Sequence, residues 1–418
     1  KTAKEKPTII ICHTVIGYGS ELAGSHVSHG KAFSAEMVVK TKENLGVSFP
    51  PFEVPEEAYR AFKDTFVARG KKAEEEDKKV LLNYKELHKE EYERFLDLKD
   101  NNVAPYLFAD GPKYEDGFKD ATRNTSQALL NIVAGELSNL FGGSADVADS
   151  VKTHVKSFTD YSKDNRKGEN INFGIREFAM GAIQNGILLH GGLRTYVGCF
   201  LVFADYRKPS IRRAARERIP AIYLFSHDSL AVGEDGPTHQ PIEQLARLRA
   251  IPRLNLFRPA DAIETSAAYR SAFESVDHPT AIILSRQGLF NNPQSSFQGS
   301  LMGGYVVSKE KEKAVLTLIA TGSEVNLAVQ AQELLLADGI DVRVVSMPCT
   351  EIFNKQYASY QDEVFGNDYD HRVFIEMGKP DGNYRYAKNV FGVDDFGSSA
   401  PAEQVLDSYG FTPEKIAD

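Results

Sequence analysis

Cysteine is scarce in this chain of 418 residues. Cys12, Cys199 and Cys349 are the only three, and an odd, widely spaced set supports neither a disulfide framework nor a thiolate zinc site. A reducing, cytoplasmic setting is the expectation. No run of about 18 apolar residues occurs, so no membrane span is expected. There is no stripe of lysine and arginine with interleaved aromatics, and the formal charge is -9, so nucleic acid is not an expected partner. Low-complexity tracts and fixed-period repeats are also missing. The 42% hydrophobic and 26% charged residues are those of an ordinary folded chain. The chain opens on Lys1, and the apolar run in KTAKEKPTIIICHT is too short for a signal peptide. Pro7 to Cys12 reads as a buried strand with no sheet before it, so sequence upstream is expected to be missing.

The length exceeds what one core serves, which predicts two or three domains. From about residue 35 to 112 lysine, glutamate and aromatics dominate. There KKAEEEDKKVLLNYKELHKEEYERFLDLKD spaces its apolar residues for one helical face, with the charge runs on a solvated surface. Beyond it, apolar runs at Ile171 to Phe173, Ala221 to Phe225, Ala281 to Leu284, Val315 to Ala320, Val342 to Val345 and Val373 to Ile375 alternate with helical stretches. That alternation predicts an α/β fold with parallel sheets. The Asn-, Ser-, Gly- and Pro-rich stretch at 287–304 marks a boundary between two such domains.

The segment SHDSLAVGEDGPTHQPIE, Ser226 to Glu243, sets His227, Asp235 and His239 in a polar loop directly after the apolar run AIYLF. Open α/β sheets place their chemistry at the carboxyl ends of strands in this way. His227, Asp235 and His239 also admit a metal-triad reading. His26 and His29, in a glycine-rich loop, are three apart but lack a third ligand. Glu177 lies in the first turn of a helix begun by GIREFAMGA. There it serves the helix dipole or, buried by the surrounding apolar residues, has its pKa raised toward acid/base use. In TGSEV at 321–325, Gly322 and Ser323 turn a strand into a helix that Ser323 caps. Arg123 and Arg286, taken alone, read as surface ion-pair partners, and each of Phe200, Phe203 and Tyr206 reads equally as core.

Taken together and in order, GYGSELAGSH, GGSAD at 142–146, GIREFAMGA, HDSLAVGEDGPTHQPIE, RPAD at 258–261, LSRQ at 284–287 and ATGSEV resemble the transketolases over nearly the whole chain. The resemblance implies the parallel-sheet domains of thiamine diphosphate-dependent enzymes. These are a remnant of the diphosphate-binding domain at 1–34, a charged helical linker at 35–112, a pyrimidine-binding domain at 113–304 and a C-terminal α/β domain at 305–418. It implies transfer of a two-carbon ketol unit from a ketose phosphate such as xylulose 5-phosphate to an aldose phosphate such as ribose 5-phosphate. Thiamine diphosphate and Mg2+ or Ca2+ are the implied cofactors.

By the same resemblance Glu177 hydrogen-bonds the ring nitrogen of the cofactor's aminopyrimidine. Phe200, Phe203 and Tyr206 stack around that ring, and Asp146 and His26 also contact the cofactor. Arg123, Ser150, His227 and Arg286 hold the sugar's distal phosphate. Asp235, His239 and His26 meet its reacting end, with Glu177, His26 and His239 as the catalytic set. Where the family reads Gly-Gly-Thr-Phe, this chain reads Val197, Gly198, Cys199 and Phe200, so a different local backbone is expected. The family's Gly-Asp-Gly cation motif is not found. The chain is therefore expected to lack most of the diphosphate-binding domain with its metal ligands, to be inactive without that portion or subunit, and to work as a homodimer with active sites at the interface. A noncatalytic transketolase-like subunit and dihydroxyacetone synthase are the alternative readings. The related 1-deoxyxylulose-5-phosphate synthase and pyruvate dehydrogenase beta subunit fit less well, because of the charged linker and the HDS-to-THQ segment.

Overall fold

A computed structural model describes residues 9–100, 113–115, 117–366 and 368–418, with 97–100 as helical backbone only. The chain divides into two compact units, Lys1–Glu93 and Arg94–Asp418.

In the first unit, residues 9–12 form no strand and Ile9, Ile10 and Ile11 are exposed. The strand expected at Pro7 to Cys12 is therefore not found in its described part, and residues 7 and 8 lie outside the described residues. The glycine-rich loop is tied to the helix Ala35–Asn44 by the Asn44 side chain, which donates to the Gly19 carbonyl at 2.9 Å. Ser34 caps that helix by accepting from the Met37 amide. The helices Glu56–Phe62 and Ala68–Leu87 are joined by a π-helical turn, Lys63–Val67. Ala68–Leu87 buries no residue, and Val80, Leu82 and Leu87 are exposed with its charged positions.

Among the described residues the second unit holds thirteen strands: β1 Lys119–Ala121, β2 Leu140–Ser144, β3 Asn170–Asn172, β4 Arg194–Phe200, β5 Ile222–Ser226, β6 Asn255–Phe257, β7 Thr280–Leu284, β8 Gly288–Phe290, β9 Tyr305–Ser308, β10 Leu316–Ala320, β11 Val342–Ser346, β12 Arg372–Ile375 and β13 Asn389–Phe391. A six-stranded sheet runs in the order β3-β2-β4-β5-β7-β6, parallel throughout. A five-stranded sheet runs β13-β12-β10-β11-β9, and only β9 is antiparallel. β1 and β8 form a separate antiparallel ribbon.

Helices on both faces explain why the central strands are continuous apolar runs. Along β4 and β5, Val197, Cys199, Tyr223 and Phe225 point into one core, with the helices Glu177–His190 and Ala204–Glu217 beside it. The intervening Tyr196, Ile222 and Leu224 point into the other, shared with Thr122–Glu136 and Ala262–Glu274. This period of two is the pleat of a strand buried on both sides.

The expected strands at 171, 221, 281, 315, 342 and 373 are all present within a residue or two of their predicted ends. β1, β2, β4, β6, β8, β9 and β13 are additions, and of these β2 and β4 are hidden in the sequence by glycines and by a polar start. The Val197–Phe200 segment continues β4 in regular register with β2 and β5, without a bulge. A Cβ at Gly198 would meet the Thr153 side chain at 2.5 Å, so glycine is dictated there by packing. The stretch 287–304 is not all loop, since it contains β8 and the helix Phe297–Leu301. No helix among the described residues is long and apolar enough to cross a membrane.

Candidate active site

The candidate residues of the second unit gather at the carboxyl edge of the six-stranded sheet. β2 ends at Ser144 and delivers Asp146, while β3 leads through Gly174 to Glu177. β4 ends on Phe200, β5 on Ser226 just before His227, and β7 ends two residues before Arg286. Arg123 joins them because Thr122 is clasped to Ser285: the Thr122 amide donates to the Ser285 hydroxyl at 3.0 Å, and the Ser285 amide to the Thr122 hydroxyl at 2.7 Å.

One part of the site is a flat-walled cavity of about 560 Å³, lined by Asp146, Ile175, Glu177, Phe203 and Tyr206 with Ala145 and Val147. Phe203 stacks against Phe200 at 5.8 Å and against Tyr206 at 6.0 Å between ring centres. Glu177 opens its helix without capping it and makes no side-chain hydrogen bond among the described residues. It is half-buried, which corrects the expectation of a buried carboxyl group. The apolar neighbours Phe178 and Ala179 face outward, because a first-turn residue shares only one face with the core.

The other part is an electropositive corner. His227 is buried, its ring 3.7 Å from that of Phe200, and its Nδ1 is 2.7 Å from the Ser226 hydroxyl. Its φ of 61° is a left-handed value that non-glycine residues seldom adopt. Burial, followed by the charges of Arg123 and Arg286 and then His239, pushes its pKa down to about 3. Arg123 donates to the Ser150 carbonyl at 2.9 Å, and Arg286 to the Val232 carbonyl at 2.6 Å. Neither guanidinium pairs with a carboxylate among the described residues, against the ion-pair reading of the sequence. Burial and the nearby Arg286 also lower the pKa of Arg123. Two like charges held together beside a neutral imidazole form a ready anion site.

His239 bridges the two parts. Its ring lies edge-on to Phe200 at 5.9 Å and to Phe203 at 5.6 Å, and its Nδ1 is 2.8 Å from the Thr238 hydroxyl. Asp235, exposed at the end of the 3-10 helix Leu230–Asp235, makes no side-chain hydrogen bond or ion pair among the described residues. It is not brought into contact with His227 or His239. Among the described residues no three His, Cys, Asp or Glu side chains are arranged to hold a metal. His26 lies exposed in the first unit, at the start of the 3-10 helix His26–His29.

RPAD and ATGSEV carry one arginine and one glutamate, Arg258 and Glu324. In the fold they make a buried ionic cluster behind His227. Arg258 donates to Asp228 at 2.8 and 3.1 Å and forms a bidentate pair with Glu324 at 2.7 and 2.9 Å. Thr321 accepts from Arg258 at 2.9 Å and donates to Glu376 at 2.7 Å, and Arg249 completes the chain with two bonds to Glu376. Burial opposes the charge on Glu376, but Arg249 overrides it and brings the pKa to about 2. Gly322, at φ 56°, leaves room for Arg258, whose Cζ would sit 2.8 Å from an added Cβ. Ser323 does not cap the helix Glu324–Ala337 as expected, because its hydroxyl donates to Glu324 instead. The signal available was a lone arginine and a lone glutamate inside apolar surroundings.

Three transketolase domain families match this chain: the pyrimidine-binding domain at 119–291, the transketolase-like C-terminal domain at 303–412, and the thiamine diphosphate-binding domain at 1–104. The last match overturns the expectation that the chain lacks most of the diphosphate-binding domain, since it runs through the stretch read as a linker. A probable transketolase of Streptococcus pneumoniae serotype 4 is 47% identical over 99% of this chain and 64% of its own length. A transketolase of Geobacillus stearothermophilus is 44% identical over 98% and 63% respectively. The crystal structure of a Pichia stipitis transketolase in complex with sedoheptulose 7-phosphate superposes with a TM-score of 0.90 at 35% identity, covering 96% of this chain and 60% of that one. The chain thus spans less than two thirds of the length of these relatives. Across the three matched stretches, it belongs to the transketolase family.

Proposed function

We propose that this protein carries out reversible transfer of a two-carbon ketol unit between sugar phosphates, as a transketolase of the pentose phosphate pathway. The observation that carries the reading is the pairing, at one sheet edge, of a flat aromatic cavity opening on Glu177 with an anion corner made by Arg123, Arg286 and neutral His227.

The residues fit thiamine diphosphate. Phe203 and Tyr206 would flank its aminopyrimidine, and the unpartnered Glu177 carboxyl group is free to hydrogen-bond a ring nitrogen, with Asp146 at the rim. When bound, the cofactor supplies the electron sink that lets a carbon-carbon bond break and re-form. The chain's own residues position the sugar. Arg123 and Arg286 receive its phosphate, with the Ser150 hydroxyl and His227 completing the shell. His239 stands between that corner and the aromatic wall, where an imidazole donates to a developing oxyanion. Asp235 and His26 are assigned to sugar hydroxyls and to the cofactor on the strength of the family resemblance, and a divalent cation of the Mg2+ or Ca2+ type accompanies the diphosphate.

A homodimer is part of the reading. Ile175, Phe178, Ile183, Leu189 and Tyr206 are large apolar residues left exposed on and beside the helix that starts at Glu177, and such a patch marks an interaction face. Three free thiols agree with a reducing, cytoplasmic setting.

The test is to incubate the protein with thiamine diphosphate, magnesium ion, xylulose 5-phosphate and ribose 5-phosphate and to measure sedoheptulose 7-phosphate. Product that disappears in Glu177→Gln is the expected result. A folded protein that binds the cofactor yet forms no product would instead support the noncatalytic reading.

A further inference from the structure

A second cavity, of about 950 Å³, shares no residue with the aromatic cavity or with the anion corner. It lies within the second unit, between the two sheets. One wall is formed by segments leading into β5, β6 and β7 at the amino edge of the six-stranded sheet, with Arg218, Arg253 and His278 on it. The other wall comes from the loops after β11 and β12, carrying Lys355 and Arg385. It therefore occupies the carboxyl edge of the parallel strands of the second sheet. There the chain order reverses between β11 and β12 on either side of β10, the position at which open α/β sheets bind ligands.

The electrostatics of the cleft are opposite to those of the chain. Five arginines and lysines line it against three carboxylates, in a protein of charge -9. Arg249 is committed to Glu376 through two hydrogen bonds and serves as a fixed wall. The remaining cations are loosely held. The Lys355 amine makes no hydrogen bond or close ion pair among the described residues and acts on Asp277 only at longer range, Arg218 stands 3.6 Å from Asp277, and Arg253 reaches only a carbonyl at 3.4 Å. Of the acids, Asp277 is taken up by His278 at 2.8 Å, and Glu351 by the Leu256 amide and the Thr350 hydroxyl. Arg218 and Arg253 both hold left-handed φ values, 59° and 68°, as functional residues often do. Ile251 and Leu254 supply an apolar floor. The volume is at the upper end of small-molecule sites, roughly 300–1,000 Å³.

We propose that this cleft binds an organic phosphate, its phosphate held by Lys355, Arg385, Arg253 and Arg218 and its carbon body resting on Ile251 and Leu254. The proposal stands apart from the catalytic reading and does not depend on it.

Calorimetric titration with AMP, glucose 6-phosphate and 3-phosphoglycerate, with adenosine as the unphosphorylated control, tests it. At least one phosphate should bind while adenosine does not. The double variant Lys355→Glu, Arg385→Glu changes only exposed side chains and should weaken that binding by about tenfold or more, whereas Arg286→Ala should leave it unchanged. The idea is overturned if none of the three phosphates binds at millimolar concentration, if adenosine binds equally well, or if Arg286→Ala abolishes binding that the cleft variant retains. Sedoheptulose 7-phosphate formation, measured on the same samples, reports on the catalytic reading separately.

Discussion

The guanidinium of Arg258 and the carboxylate of Glu324 meet in a two-pronged pair at 2.7 and 2.9 Å, with neither side chain exposed to solvent. Arg258 stands beyond β6 of the first sheet and Glu324 beyond β10 of the second, so the pair ties the two layers together. Through Asp228 it also anchors the turn in which His227 holds its left-handed backbone. Replacing one partner leaves buried charge uncompensated, at a cost of about 3–5 kcal/mol. Arg258→Met is therefore expected to lower the unfolding free energy, read from denaturant titration, by an amount of that order. It should also raise the Michaelis constant for sugar phosphates more than it lowers turnover. A variant as stable as the parent would show that the cluster is not a clamp.

Glu177→Gln keeps the shape of the side chain but removes its acid. Turnover is expected to drop by about 100-fold or more, while circular dichroism and the unfolding midpoint stay unchanged, because Glu177 makes no hydrogen bond that holds the fold. Unaltered turnover would remove Glu177 from the chemistry.

Arg286→Ala removes one of the two guanidiniums of the anion corner, neither of which pairs with a carboxylate among the described residues. A charge-assisted hydrogen bond contributes about 1.5–3 kcal/mol, so kcat/KM for xylulose 5-phosphate should fall by roughly 10- to 150-fold. Hydroxypyruvate, which has no phosphate, should be little affected. Equal losses for both donors would count against phosphate recognition.

His227, with a pKa pushed down to about 3, is expected to remain neutral from pH 8 down to about pH 5, on imidazole chemical shifts. The unfolded chain takes up this proton near pH 6.5. The contribution of His227 to stability is thus complete above that value and is lost as pH falls from about 6.5 toward 3. His227→Gln should flatten the pH dependence of the unfolding midpoint in that window. An imidazole titrating near pH 6.5 in the folded protein would contradict the buried, electropositive corner.

Much of this architecture was legible in the residues themselves, for identifiable reasons. Strands buried on both faces are continuous β-branched runs, so β5, β7, β10, β11 and β12 stand out from the sequence. β4 begins on Arg194 and passes through Gly198, and β2 contains two adjacent glycines. Their glycines are required by neighbours that leave no room for a side chain, the Tyr196 and Ile171 backbones at Gly142 and Gly143 and the Thr153 side chain at Gly198, which composition does not record. His227 and His239 are recognisable because they sit in one long motif, and Arg286 because LSRQ follows it in order.

What the sequence could not determine was the company these residues keep. Sequence decided the elements, the carboxyl-edge placement of the loop at 226–243, and the residue types on offer. Only the tertiary structure decided that Arg123 and Arg286 are adjacent with no carboxylate partner among the described residues, that Glu177 is half-open, and that Asp235 is exposed. It also set Arg258 between Asp228 and Glu324. Charge pairing and desolvation depend on distances across the fold, and residues 123 and 286 become neighbours only once Thr122 and Ser285 clasp at the end of β7.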